Sequence, residues 1–127
     1  MKTEITLCFD FGNSRKKLAV FSNKKIIAER ILYTDTSGEI ETLLQEFKPQ
    51  KSILSSVINH NPGIEDTLKE KTHFHKLSVA TKLNFTAPVG KPETIGADRL
   101  AIAAAAVHFF PKKNNLVIGL GSCITYN

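Results

Sequence analysis

Cysteine is nearly absent from this 127-residue chain, which has only Cys8 and Cys123. Both sit in apolar, strand-like settings and form neither a C-x-x-C pair nor the spacing of a secreted disulfide framework. That points to a reducing, cytoplasmic compartment and to two buried, unreactive thiols. No stretch approaches the ~20 apolar residues of a membrane span. The start, Met1-Lys2-Thr3-Glu4, carries an acidic residue ahead of a short apolar run, so a soluble chain with no membrane partner is expected. Metal-ligating residues are sparse too. His73 and His75 alternate along one predicted strand, but without a third ligand nearby they are read, with His60 and His108, as structural or surface residues. Lysine and arginine outnumber acids 17 to 12, a net charge of +5. The clusters Arg15-Lys16-Lys17, Lys24-Lys25 and Lys112-Lys113 nevertheless lack interleaved aromatics, which argues against a nucleic-acid partner and for small phosphates.

What is present is enough for one domain with a core, since 42% of the residues are hydrophobic and a chain of this length buries roughly two-thirds of its unfolded surface. Three strands are predicted in succession, Glu4 to Phe11, Lys16 to Phe21 and Lys25 to Tyr33, joined by tight turns into an antiparallel meander. Thr36-Ser37-Gly38-Glu39 reads as a capping box opening a helix whose apolar stripe is Ile40, Leu43, Leu44 and Phe47, with Pro49 ending it. A strand over Ser52 to Val57 follows. Asn61-Pro62 then caps a short helix over Gly63 to Lys71, and a strand over His73 to Val79 comes next. Pro88, Gly90 and Pro92 impose an irregular loop, after which Asp98 to Phe110 returns to strong helix formers. Leu116 to Ile118 begins a further strand. The order βββαβαβα followed by β-turn-β indicates an α/β fold with a mixed sheet. The expected organisation is a domain over residues 1–113 and the opening hairpin of a truncated second domain over 114–127.

Two fragments carry the same kind of signal. Asp10-Phe11-Gly12-Asn13-Ser14 and Gly119-Leu120-Gly121-Ser122-Cys123 each follow an apolar strand and read as glycine hairpins. Glycine at positive φ would let backbone N–H groups and a small hydroxyl meet a phosphate. Asp10 is either a plain Asx turn or a ligand of Mg²⁺ or its water shell, with Gly12, Asn13 and Ser14 around phosphate oxygens. Arg15 and Lys17 share one strand face, either to neutralise phosphate or simply to be solvated. A third constellation runs from Pro92 to Arg99 into a helix N-terminus. Asp98 there either complements the helix dipole or acts as a general base on a substrate hydroxyl, and Arg99 is either solvated or clamps a substrate carboxylate beside Gly96. The alanines from Ala101 to Ala106 suit close helix approach at an interface, or ordinary core packing.

Taken together, Asp-x-Gly-Asn-Ser, Gly-Ala-Asp-Arg and Gly-Ser-Cys-x-Thr, in that order, resemble the type III pantothenate kinases, a family of the actin-like kinase superfamily. The resemblance implies a ribonuclease H-like/actin-like domain and the start of a second one. It implies ATP-dependent phosphorylation of pantothenate to 4′-phosphopantothenate in coenzyme A biosynthesis, with Mg²⁺ and a monovalent cation such as K⁺, by a homodimer. Asp10, Gly12, Asn13 and Ser14 then belong to the first phosphate loop, with Asp10 at the metal, and Lys17, read from its strand position, is the cation assigned to the phosphate. Gly96, Ala97 and Arg99 face pantothenate, Asp98 is the base, and Gly121, Ser122 and Thr125 form the second phosphate loop.

The chain departs from the family at Gly119 and Asn127, where aspartates are usual, and at Val89, where many relatives carry an aromatic residue. These departures keep a second expectation open, a nucleotide-sensing or regulatory relative that has lost catalysis. Such a fragment is expected not to turn over by itself. A ribonuclease H-like nuclease would need several carboxylates on a shared metal pair, which Asp10 does not supply.

Overall fold

A computed structural model describes residues 2–127 and groups the chain into two compact units, one up to Lys76 and one from Leu77. In the first unit, β1 (Ile5–Phe11), β2 (Lys16–Ser22) and β3 (Lys25–Leu32) form the expected antiparallel meander. After α1 (Ser37–Phe47), β4 (Lys51–Ser56) pairs parallel to β1, and after α2 (Pro62–Lys71), β5 (His73–Lys76) pairs parallel to β4. The sheet order is β3-β2-β1-β4-β5, a mixed five-stranded sheet.

Alternation along the strands decides which face is covered. Leu7, Phe9 and Phe11 of β1, Leu18 and Val20 of β2 and Leu54 of β4 are buried on one face with Ile40 and Leu43 of α1 and Ile64 and Leu68 of α2. Leu44 and Phe47 complete the α1 stripe as partly buried neighbours of the same cluster. Each fully buried side chain of this size contributes about 1.5–3 kcal/mol. Cys8 projects from the opposite face and is half-buried, and burial pushes its thiol up from the ordinary value.

Both helices end as the sequence requires, but one begins differently. Asn61 Oδ1 accepts the Gly63 N–H at 2.9 Å, with Pro62 at the first helical position of α2. At the end of α1, Lys48 takes a left-handed φ of 48° and donates its N–H to Leu44 at 3.0 Å, and Pro49 prevents another turn. The predicted capping box is not formed. Thr36 stands at the N-cap without a side-chain cap bond, and Glu39 instead accepts from the Tyr33 and Thr34 N–H groups at 3.2 and 3.0 Å and from the Thr34 hydroxyl at 2.6 Å. The chain leaving β3 brings those donors to the carboxylate in place of the Thr36 amide.

Partial burial disfavours the Glu39 charge, but these hydrogen bonds and the Lys16 ammonium outweigh it and hold the carboxyl below its usual range. A depressed folded value means that Glu39 stabilises the fold above the ordinary glutamate value of about 4.3, and that this stabilisation is lost as pH falls through the lower folded value. Glu39→Gln is therefore expected to unfold earlier than wild type in urea at pH 7. The two midpoints should converge as the pH is taken below about 4.

The second unit contains a 3-10 turn at Pro92–Thr94, α3 (Ala97–Phe109), and a two-stranded hairpin of β6 (Ile118–Leu120) and β7 (Ile124–Tyr126). Two element boundaries shift by a few residues and one burial expectation is overturned. β5 stops at Lys76 rather than Val79, β6 starts at Ile118 rather than Leu116, and Cys123 is exposed rather than buried because it lies in the hairpin turn. Among the described residues, no helix is long and apolar enough to cross a membrane.

Candidate functional site

The β1–β2 connection is closed by the Gly12 N–H donating to the Arg15 carbonyl at 2.9 Å. Gly12 does not take the positive φ expected of it; among the described residues the left-handed positions are Asn23, Lys48 and Lys112, and no glycine is among them. A Cβ at Gly12 would meet the Arg15 carbonyl oxygen at 3.5 Å, an ordinary contact, so what glycine provides here is a bare main-chain rim. With its N–H occupied, the donors this turn can present to an anion are the Asn13 and Ser14 amides and the Ser14 hydroxyl, and both residues are exposed.

Gly12 to Lys16 form one wall of a cleft of about 580 Å³, and Ile31 to Tyr33 at the end of β3 and Ile58 beyond β4 form the rest. That is a volume typical of small-molecule sites. The lysine in this wall is Lys16, not Lys17. Lys16 shares its face with Leu18 and Val20 and stands opposite Phe11, so its stem is drawn toward the core. Its ammonium lies 5.8 Å from the Phe11 ring centroid, 2.7 Å from the Thr34 carbonyl and 3.5 Å from Asp35. Asp35 in turn accepts the Asn61 N–H at 2.9 Å, which ties the loop after β3 to the start of α2. Lys17 is exposed on the other face, and Arg15 precedes β2 instead of alternating within it.

Asp10 is exposed near the end of β1, in register with Lys17 on β2 and Ser55 on β4. Residues in register project from one face of the sheet. Ser55 Oγ is buried with no hydrogen-bond partner among the described residues.

In the second unit, Gly96 is the N-cap of α3, Ala97 its first residue, and Asp98 an exposed first-turn carboxylate that accepts the Arg99 N–H at 2.9 Å. The Arg99 guanidinium is not simply solvated. Its Nε donates to Asn127 Oδ1 at 2.5 Å and its Nη2 to the Tyr126 carbonyl at 3.1 Å, which leaves the rest of its fork for a ligand. Asn127 also bonds Val117 through both its main chain and its side-chain amide. This pairing spans 28 residues and was not readable from the sequence, although Asn127 itself stood out.

Gly119 lies within β6 opposite Thr125, where a Cβ would come 2.6 Å from the threonine hydroxyl, so any side chain there would force Thr125 to turn. Gly121 donates its N–H to the Cys123 carbonyl at 3.2 Å, and Ser122 is exposed at the tip of the turn.

A family model described as type III pantothenate kinase matches residues 6–127. The chain belongs to that family. Among curated relatives named type III pantothenate kinase, that of Christiangramia forsetii is 38% identical over 125 residues, 97% of this chain and 51% of the relative. Those of Cytophaga hutchinsonii and Flavobacterium johnsoniae are 31% and 32% identical, over 96% and 95% of this chain and 50% of each relative. The chain thus spans about half the length of the curated relatives it matches.

As a type III pantothenate kinase family member, it carries its first glycine turn at the rim of a cleft and its Gly-Ala-Asp-Arg motif at the start of α3. The donors at the first turn are hard oxygens, amides and ammonium groups, which fit a nucleotide triphosphate with its Mg²⁺. They do not form a protein cage for the ion, and no cluster of three or more His, Cys, Asp or Glu side chains able to hold a metal occurs among the described residues.

Proposed function

We propose that this chain is the phosphate-binding half of a kinase that transfers the γ-phosphoryl group of ATP to the primary alcohol of pantothenate, the step that leads into coenzyme A. The observation that carries this reading is the Gly12-Asn13-Ser14 turn opening onto a cleft walled by Lys16, in a chain matched along nearly its whole length by the kinase family.

In the proposed reaction, the Asn13 and Ser14 amides and the Ser14 hydroxyl hold phosphate oxygens, and the Lys16 ammonium offsets their charge. Asp10 supplies the one carboxylate that Mg²⁺ requires alongside phosphate oxygens and water. Bound there, the ion would draw off the charge that develops on the transferred group. Asp98 takes the proton of the acceptor hydroxyl as its oxygen bonds to phosphorus and ADP leaves, while Arg99, anchored by Asn127, directs its remaining donors at the pantothenate carboxylate. Gly121, Ser122 and Thr125 are assigned to the second phosphate loop, and residues 114–127 to the opening hairpin of a second domain. Cytoplasmic location, a homodimer and a monovalent cation belong to the same proposal.

A second reading, a nucleotide-binding relative without turnover, is favoured by one feature. Asn127 gives Arg99 a neutral oxygen where the family pattern places a carboxylate.

Calorimetric titration of the 127-residue chain with MgATP tests the donor half. Binding is expected, and Asp10→Asn should weaken it about 10-fold or more by removing the single charged protein ligand of the metal. Equal affinity in the variant would remove Asp10 from the metal. A coupled assay with pantothenate, Mg²⁺ and K⁺ on a full-length kinase carrying this half separates the two readings, since turnover supports the first and ATP binding without turnover the second.

A further inference from the structure

Behind the phosphate turn lies a buried polar chain with no assigned role. The His60 side chain is 6% exposed. Its Nε2 lies 2.9 Å from Glu65 Oε1 on α2, its Nδ1 lies 3.0 Å from Ser56 Oγ at the end of β4, and its ring meets the Phe11 ring edge-on at 5.3 Å. Phe11 immediately precedes Gly12, and its carbonyl accepts the Val57 N–H at 3.0 Å. Ser56 Oγ is also 3.1 Å from the carbonyl of Ile58, a residue of the cleft wall.

The hydrogen-bond arithmetic of this chain has two solutions. A carboxylate only accepts, so Nε2 carries a proton in either state. With a neutral ring, Nδ1 is an acceptor, and the single Ser56 proton must turn to it and abandon the Ile58 carbonyl. With an imidazolium, Nδ1–H donates to Ser56 Oγ, and the hydroxyl proton is free to hold Ile58. The charged groups nearby are Lys76 of β5 and Lys69 of α2, 2.7 and 3.6 Å from Glu65, Lys16 of β2, 5.8 Å from the Phe11 ring centroid, and Asp35, which accepts the N–H of the neighbouring Asn61. Burial works against the Glu65 charge, but the hydrogen bonds from Lys76 and His60 prevail and keep its carboxyl below the usual range, so it stays an anionic anchor for the ring.

We propose that His60 is a positioning residue for the phosphate turn and a proton-operated latch: the imidazolium lets Ser56 hold the Ile58 carbonyl and so fix the Phe11–Gly12 corner, and the neutral ring releases that carbonyl, leaving Ile58 with only the longer 3.5 Å bond from its N–H to Ser56 Oγ. The inference deepens the kinase reading, because the element it controls is the proposed ATP phosphate site.

The test is a pH titration of the ¹⁵N-labelled chain between about pH 5 and 9, the range in which histidines change charge, following the His60 ring nitrogens and the amides of Gly12, Asn13 and Ile58 without ligand. The amides are expected to move with the midpoint of the ring. A ring that keeps one charge state throughout, or amides that ignore its midpoint, would overturn the latch.

Tripolyphosphate binding is then compared between wild type and His60→Gln at each pH, which cancels the titration of the probe itself. The ratio is expected to favour wild type by about 3- to 10-fold at the acid end, the worth of one hydrogen bond, and to approach unity at the alkaline end. A ratio independent of pH also overturns the latch. Tracking amides in a chain that binds no tripolyphosphate at any pH would uphold the latch and remove the phosphate reading instead. Should His60→Gln fail to fold, His60→Phe, which keeps the ring contact with Phe11, takes its place.

Discussion

Phe11→Ala is expected to lower the unfolding free energy of the first unit by about 3–5 kcal/mol, the usual cost of truncating a buried phenylalanine to alanine. Phe11 is fully buried, packs edge-on against both Phe9 and His60, and lies under the Lys16 ammonium. At ~0.05–0.15 kcal/mol per residue, a unit of this length is stabilised by about 4–11 kcal/mol in total. One substitution therefore removes a large part of the margin. The void would open directly behind Gly12, so binding should suffer along with stability. Urea denaturation followed by circular dichroism reads the first effect and MgATP titration well below the midpoint reads the second. Phe11→Leu, which keeps most of the volume, should cost about 1–1.5 kcal/mol. If Phe11→Ala proved no worse than Phe11→Leu, the ring would not be the keystone of this corner.

The parts of this molecule that were legible in the sequence are those decided by neighbours within one turn or one strand. Asn61-Pro62 announces the α2 start because its side-chain oxygen needs only the N–H two residues on. The α1 stripe is readable because four apolar residues at helical spacing admit one buried face. The rest depended on chain segments meeting. The Thr36 box failed because the end of β3 brought the Tyr33 and Thr34 amides to Glu39.

Strand parity already distinguishes the lysine that lines the cleft, Lys16, from Lys17. Lys16 has the parity of the buried Leu18 and Val20, and hence of the core beside Phe11, whereas Lys17 has the opposite parity and is exposed. The cleft walls at Ile31 to Tyr33 and Ile58, and the edge-on contact of Phe11 with His60, join segments tens of residues apart, and no local pattern reports them. The same holds for Arg99, whose partners at Tyr126 and Asn127 make a first-turn arginine, ordinarily solvated, into a fixed one. Fixing matters for the proposed clamp, because a guanidinium already held at two donors loses less freedom when its remaining donors meet a carboxylate.

Asp98→Asn in a full-length kinase carrying this half is expected to lower kcat by about 10²–10⁴-fold, the usual contribution of a general base. The choice of asparagine follows from the local structure. Asp98 is exposed in the first turn of α3, and its Oδ1 accepts the Arg99 N–H at 2.9 Å, a bond that the asparagine carbonyl oxygen can also make. The helix start and the Arg99–Asn127 contact should therefore survive, so that the loss reads on proton transfer and not on folding. Pantothenate KM should change little, because in the proposed site the substrate carboxylate is held by Arg99 and the reacting hydroxyl contributes little ground-state binding. Arg99→Ala should give the opposite split. It removes a charge-assisted contact to the carboxylate, and KM is expected to rise about 10-fold or more. Steady-state kinetics of the two variants side by side decide the assignment. If Asp98→Asn kept kcat within about threefold of wild type, its oxygen would not be accepting the proton. If both variants altered KM and kcat alike, the motif would be serving the architecture of α3 and its hairpin instead of the chemistry.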